Sequence, residues 1–132
     1  MATPKTEHIH LLILEDMPDI MANLIKDLQE IGFKGTIHQA ENVGKAVKIC
    51  NSEKVDLIIS DWNLPDATGF DFLKKIKTIA KFKDTPFLMC TTIDEITNIL
   101  DAINAGATDY IVKPWDKKEL ETKFLDCIGK VK

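Results

Sequence analysis

Short, almost wholly apolar runs alternate with longer amphipathic segments along the whole chain. "IHLLILE" (9–15) is nearly continuous Leu and Ile, which suits a strand buried on both faces. From Pro18 to about Glu30 the pattern turns helical, with Ile20, Met21, Leu24, Ile25, Leu28 and Ile31 at helical spacing. Pro suits a first helical turn, and Gly32 stops the helix. "GTIHQAE" (35–41) is a shorter, more polar strand near an edge. "VGKAVKICN" (43–51) is a helix with Val43, Ala46, Val47 and Cys50 inward. "VDLIIS" (55–60) is the third strand. "GFDFLKKIKTIA" (69–80) is a helix with Phe70, Leu73, Ile76 and Ile79 at spacing three, and its lysine run reads as a solvated face. "TPFLMCTT" (85–92) is the fourth strand. "DEITNILDAINAGA" (94–107) is a helix with Ile96, Ile99, Leu100 and Ile103 inward, closed by Gly106. "TDYIVKP" (108–114) is the fifth strand. "DKKELETKFLDCIGK" (116–130) is the last helix, with Leu120, Phe124, Cys127 and Ile128 inward and Asp116 as N-cap. Strict alternation of buried strands and amphipathic helices predicts an α/β fold. Its parallel sheet is covered on both faces and joined by right-handed crossovers.

A chain of 132 residues with 45% hydrophobic and 29% charged residues suits one domain, 1–132, with 1–8 as an N-terminal extension. The net charge of -4 leaves no basic footprint for nucleic acid or a membrane surface. No apolar run approaches the ~20 residues of a membrane span, and "MATPKTEHIH" has no signal-peptide core. A cytoplasmic monomer is expected. The sequence ends straight after the last helix, so output is expected through binding and not through a further domain. Cys50, Cys90 and Cys127 are scattered among apolar neighbours without a CxxC, as reduced core residues are. His8 and His10 point the same way on a strand, but two ligands do not make a metal site.

In an open parallel sheet, ligands bind outside the carboxyl ends of the strands. The first strand ends in Glu15 and Asp16, the third in Asp61, the fourth in Thr91 and Thr92, the fifth in Lys113 and Pro114. Carboxylates held that close repel: one pair at 4 Å costs on the order of 4 kcal/mol at an effective dielectric of about 20. Lys113 offsets part of this. A hard divalent cation offsets more, and carboxylate, carbonyl and water are what Mg²⁺ prefers. Mg²⁺ completes its shell with phosphate oxygens, which points to phosphoryl chemistry. Asp61 is the expected nucleophile, forming an aspartyl phosphate. Lys113 binds one phosphoryl oxygen and Thr91 donates to another. Asp16 and Asp61 bind the metal directly, Glu15 through water, and the Asn63 backbone carbonyl completes the protein ligands. Trp62, beside the acceptor, is expected across the site mouth.

The set "LILED", "LIISDWNLP", "PFLMCTT" and "AGATDYIVKPW", in this order, resembles the receiver domain of two-component response regulators over residues 9 to 130. Within that family it is most similar to the small chemotaxis regulators, whose acceptor loop carries the same Asp-Trp-Asn run. The resemblance implies a flavodoxin-like (βα)5 sandwich with strand order 2-1-3-4-5 and a cis Lys113–Pro114 bond. It implies a histidine kinase as phosphodonor. Downstream it implies a flagellar motor switch protein or a histidine phosphotransfer protein, with a phosphatase as a further partner. It also implies a switch in which Thr91 moves toward the phosphoryl group, Tyr110 turns in behind it, and the face of the fourth helix, fifth strand and fifth helix changes shape. Departures from the family pattern are Thr92, which narrows access, Thr68, expected only to cap the third helix, and Ile93. Ile93 has no polar atom to orient a hydrolytic water, so slow self-dephosphorylation is expected. The rival reading, a Mg²⁺-dependent phosphohydrolase, wants an acid two residues past the nucleophile, where Asn63 stands.

Overall fold

The computed structural model describes residues 5–131. Among them the chain forms β1 (His10–Leu14), α1 (Pro18–Ile31), β2 (Thr36–Ala40), α2 (Val43–Ser52), β3 (Leu57–Asp61), α3 (Gly69–Lys77), β4 (Phe87–Thr92), α4 (Ile99–Ala105), β5 (Asp109–Lys113) and α5 (Lys117–Ile128). Short 3-10 stretches, Ala80–Phe82 and Ile93–Asn98, precede β4 and α4. The five strands run parallel in the order β2-β1-β3-β4-β5. This is the flavodoxin-like order expected from the resemblance. Of the extension expected over residues 1–8, residues 1–4 lie outside the described residues. Thr6 is buried, and its hydroxyl accepts from the Lys34 N–H at 2.7 Å. Among the described residues no helix is long and apolar enough to cross a membrane.

Strand β1 makes plain why the sheet must be covered twice. Successive side chains of a strand point to opposite faces. Leu11 and Ile13 meet Leu24 and Leu28 of α1 and Leu120 and Phe124 of α5 on one face. Leu12 and Leu14 meet Ala46 and Cys50 of α2, Phe72 and Ile76 of α3, and Ala102 of α4 on the other. A strand with apolar residues at both parities is stable only between two helical layers. Gly32 and Gly106 end α1 and α4 with φ of 117° and 118°, a left-handed conformation that other residues adopt at a cost. Asp116 caps α5 by accepting from the Lys118 N–H at 3.2 Å.

All three cysteines are reduced and buried. Burial pushes the Cys50 thiol up to about 11 and the Cys90 and Cys127 thiols to about 12. The thiolate is the reactive form. A disulfide reagent at pH 8 is therefore expected to label none of them on the timescale on which it labels all three in denaturant. Rapid labelling of the folded protein would contradict this packing.

Three sequence expectations need correction. In α3 the inward set is Phe72, Leu73 and Ile76, while Ile79 is 40% exposed, past the helix end. Strict spacing of three drifts around a 3.6-residue helix by about 60° per step, so it follows the core for only two turns. The lysine run is not wholly solvated: the half-buried Lys77 ammonium donates to the carbonyls of Lys83 at 3.2 Å and Thr85 at 2.6 Å. Burial pushes its pKa down. In α4 the buried residues are Ile99 and Ala102, while Leu100 is 71% and Ile103 38% exposed. The preceding residues wind as 3-10 helix with about three residues per turn, which shifts the phase of everything after them.

Candidate functional site

The sheet reverses its winding between β1 and β3, because β2 lies on the far side of β1. Ligands of such sheets bind in the crevice outside the carboxyl ends at this switch point. Glu15 and Asp16 follow β1 directly, and Asp61 is the last residue of β3. Lys113 ends β5, two strands away, and its long stem reaches back across β4.

The predicted residues converge. One carboxylate oxygen from each of Glu15, Asp16 and Asp61 lies within 4.8 Å of the others. Glu15 and Asp61 are buried and Asp16 is exposed. The Lys113 ammonium lies 3.0 Å from Asp61 Oδ1 and 3.4 Å from Glu15 Oε1. Asp61 Oδ1 also accepts from the Trp62 N–H at 2.8 Å, and Glu15 Oε2 from the Met17 N–H at 3.1 Å. The loop after β3 is closed behind Asp61 by a Gly69 N–H to Trp62 carbonyl bond of 2.7 Å and a bridge between Asn63 and Thr68. Thr68 caps α3 as expected, in a capping box with Asp71. The Lys113–Pro114 peptide is cis.

Electrostatically the site carries surplus negative charge. Burial pushes the Asp61 carboxyl above its ordinary value, and the bond and charge of Lys113 only partly oppose it. Burial also raises Glu15, against the Met17 N–H and with help from the Asp61 charge. At Lys113 burial works to lower the pKa, but the hydrogen bond and charge of Asp61, joined by Glu15, outweigh it and hold the ammonium protonated. One lysine thus serves two buried acids, with an exposed third beside them. An all-oxygen donor set with an unbalanced charge fits a hard divalent cation.

Thr91 is fully buried at the end of β4, and its hydroxyl donates to the Thr92 carbonyl at 3.2 Å. Met89 pairs with Tyr110 and Thr91 with Val112, so Thr91 and Tyr110 are diagonal neighbours on one face of the sheet. The half-buried Tyr110 ring packs on the α2–α4 side, with the Lys123 ammonium 4.3 Å from its centroid. Beside the acids an open cleft of about 670 Å³ is lined by Met17, Ile20, Thr92, Lys113, Pro114 and Trp115, among others. Trp115 packs against the core, and its Nε1 donates to Asp27 at 2.8 Å.

Trp62 does not lie across the mouth. It is buried and stacked on Phe70, with ring centroids 5.4 Å apart and planes within 7°. Successive residues of an extended chain alternate sides, so the neighbour of an outward acid turns into the core. His10 pairs with His38 of the adjacent strand, Nδ1 to Nε2 at 3.0 Å, and not with His8.

One residue escaped the sequence reading. Glu95 Oε1 accepts from the Thr92 N–H at 3.1 Å and the Thr92 hydroxyl at 3.0 Å, and its Oε2 accepts from the Asn63 side-chain amide. Its charge helps to raise Asp61. The signal was present: Thr-Ile-Asp-Glu over 92–95 is a capping-box pattern.

The response regulator receiver domain family model matches residues 11–125. The chemotaxis protein CheY of Pseudomonas aeruginosa is 34% identical over 117 residues, covering 86% of this chain and 91% of that protein. Among solved structures, the chemotaxis response regulator CheY4 of Vibrio cholerae superposes with a TM-score of 0.81 at 28% identity, over 91% of this chain and 98% of that one. The receiver domain of a sensor histidine kinase from Pseudomonas aeruginosa, which holds a magnesium ion in its active site cleft, does so with a TM-score of 0.80 at 22% identity, over 92% and 98% of the two chains.

Proposed function

This chain belongs to the response regulator receiver domain family, and on that premise we propose that it accepts a phosphoryl group on Asp61 and switches partner binding in response. Members of this family are phosphoacceptor switches, not turnover enzymes. The observation that carries the assignment is the pairing of buried Asp61 with Lys113 beside two further carboxylates. Asp61 Oδ attacks the phosphorus of a phosphohistidine. The new O–P bond forms as the P–N bond breaks, and its electron pair, with a proton, ends on the donor imidazole. Lys113 holds a phosphoryl oxygen as a point charge. Thr91 leaves the Thr92 carbonyl to donate to another. Glu15, Asp16, Asp61 and the Asn63 carbonyl are the residues that would hold Mg²⁺. When bound, the ion offsets charge on the acids and on the transferring group.

The donor is a histidine kinase, reaching the site from the cleft beside Met17 and Trp115. Once Thr91 moves, Tyr110 fills the vacated space, and the face of α4, β5 and α5 takes a second shape. Exposed Leu100 and Ile103 on α4 give that face apolar contact area. The chemotaxis names of the relatives favour a flagellar motor switch protein as the reader of this face, at a coupling of ~1–3 kcal/mol.

The test is phosphorylation by a small acyl phosphate with Mg²⁺, read by intact mass. Wild type is expected to gain one phosphoryl group, and Asp61→Asn none. Equal labelling of the two proteins would remove Asp61 from the role, and no labelling of wild type would remove the function.

A further inference from the structure

We propose that Glu95 is a positioning residue of this site, an internal anion that occupies hydrogen-bond donors wanted by the phosphoryl group and yields them on loading. The inference rests on the acceptor reading of Asp61.

Three donors converge on one carboxylate: the Thr92 N–H, the Thr92 hydroxyl and the Asn63 side-chain amide. A capping box starting a helix accounts for the Thr92 N–H bond. It does not account for the Asn63 bond. Asn63 lies 32 residues away, two past Asp61, on the loop that leaves a different strand. Glu95 therefore straps together the two segments that flank the acceptor, the end of β4 and the loop after β3.

The strap holds a lightly buried segment. No residue of the 3-10 stretch Ile93–Asn98 is buried, and Ile96 packs only partly against the core, so its displacement exposes a modest apolar surface. A phosphoryl group on Asp61 brings about -1.5 to -2 charges and three strong acceptor oxygens into the space that Glu95 faces. Like charge weakens the hold of Glu95. The Thr92 N–H and Asn63 amide exchange one anion for another, keeping charge-assisted bonds. The exchange makes Glu95 a brake on loading, and it frees the start of α4 when loading is complete.

Glu95→Gln keeps the shape of the strap and removes its charge. Its loading rate with an acyl phosphate and Mg²⁺ is expected to exceed wild type by on the order of tenfold, the rate equivalent of one charge interaction at a partly solvated site. Raising ionic strength is expected to narrow the gap. A Glu95→Gln rate at or below wild type overturns the proposal, because a helix cap with no other role would leave loading unchanged. In wild type, the side-chain amide of Asn63 is expected to lose its proximity to Glu95 on phosphorylation, followed by NMR. Persistence of that contact in the loaded protein overturns the proposal without any variant. Failure of wild type to load at all instead overturns the acceptor reading.

Discussion

Lys113→Met is expected to lower stability by about 3 kcal/mol in metal-free buffer at neutral pH, or roughly 10 °C in Tm. The Lys113 side chain is 14% exposed, and those of its partners Asp61 and Glu15 are 8% and 4% exposed. Removing it leaves two buried carboxylates without a cation, whereas Met restores the packing of the stem. The sign of the pH dependence follows from the shifted groups. Folded-state values of Asp61 and Glu15 lie above the ordinary 3.8 and 4.5. The native state therefore binds more protons in the window from those values up to the raised ones, and stability falls as pH rises through it. The raised Lys113 contributes stability that is complete below 10.5 and lost as pH rises through its folded value. The Met variant is accordingly expected to recover toward wild type as pH falls and the acids take up protons. Millimolar MgCl2 is expected to shrink its deficit at neutral pH. Thermal melts at three pH values, with and without the salt, check both statements. A deficit that grows on acidification would show that the lysine stabilises the fold by some route other than these acids.

Gly69→Ala is expected to damage fold and site together. Gly69 is the first residue of α3, and its N–H bonds the Trp62 carbonyl at 2.7 Å. A Cβ placed there falls far inside contact distance of the Asp61 carbonyl oxygen and 2.8 Å from Ser60 Oγ. The nearest opposing atom, the Asp61 carbonyl oxygen, is backbone fixed in the sheet, so the helix start must move. Overpacking of this kind costs about 1–3 kcal/mol. The displacement reaches Asp61 directly, and misplacing a reacting group by ~1 Å costs on the order of a hundredfold in rate. Melting temperature and acyl-phosphate loading measured on the same variant report the two effects. Loading at the wild-type rate would mean that the loop absorbs the shift without moving the acceptor.

The outcome of sequence reading differs with the physics behind each signal. Leu11 to Leu14, apolar at both parities, have one stable environment, the middle of a two-sided sheet, so β1 and the layer order were legible. Glu15, Asp61 and Lys113 were legible because a charged residue at the end of a buried strand has few other reasons to stand there. Periodicity failed at α4, where a 3-10 approach changed the winding and turned Leu100 and Ile103 outward. It failed at Lys77 because composition cannot distinguish a solvated ammonium from one that donates to the loop carbonyls of Lys83 and Thr85. It failed at Glu95 because the partner that matters, Asn63, lies on another strand, and only the tertiary fold brings the two together.

The stacking of Trp62 on Phe70, with Lys74 4.6 Å above the Phe70 ring, has a mechanical consequence. It clamps the peptide immediately after the acceptor to the third helix, like a vice beside a workpiece. On the proposed reading, a charge arriving at Asp61 meets an unyielding mount there, and the motion it provokes must leave through the fourth strand instead. On the same reading, an aromatic pair that takes no part in the chemistry gives the message its direction.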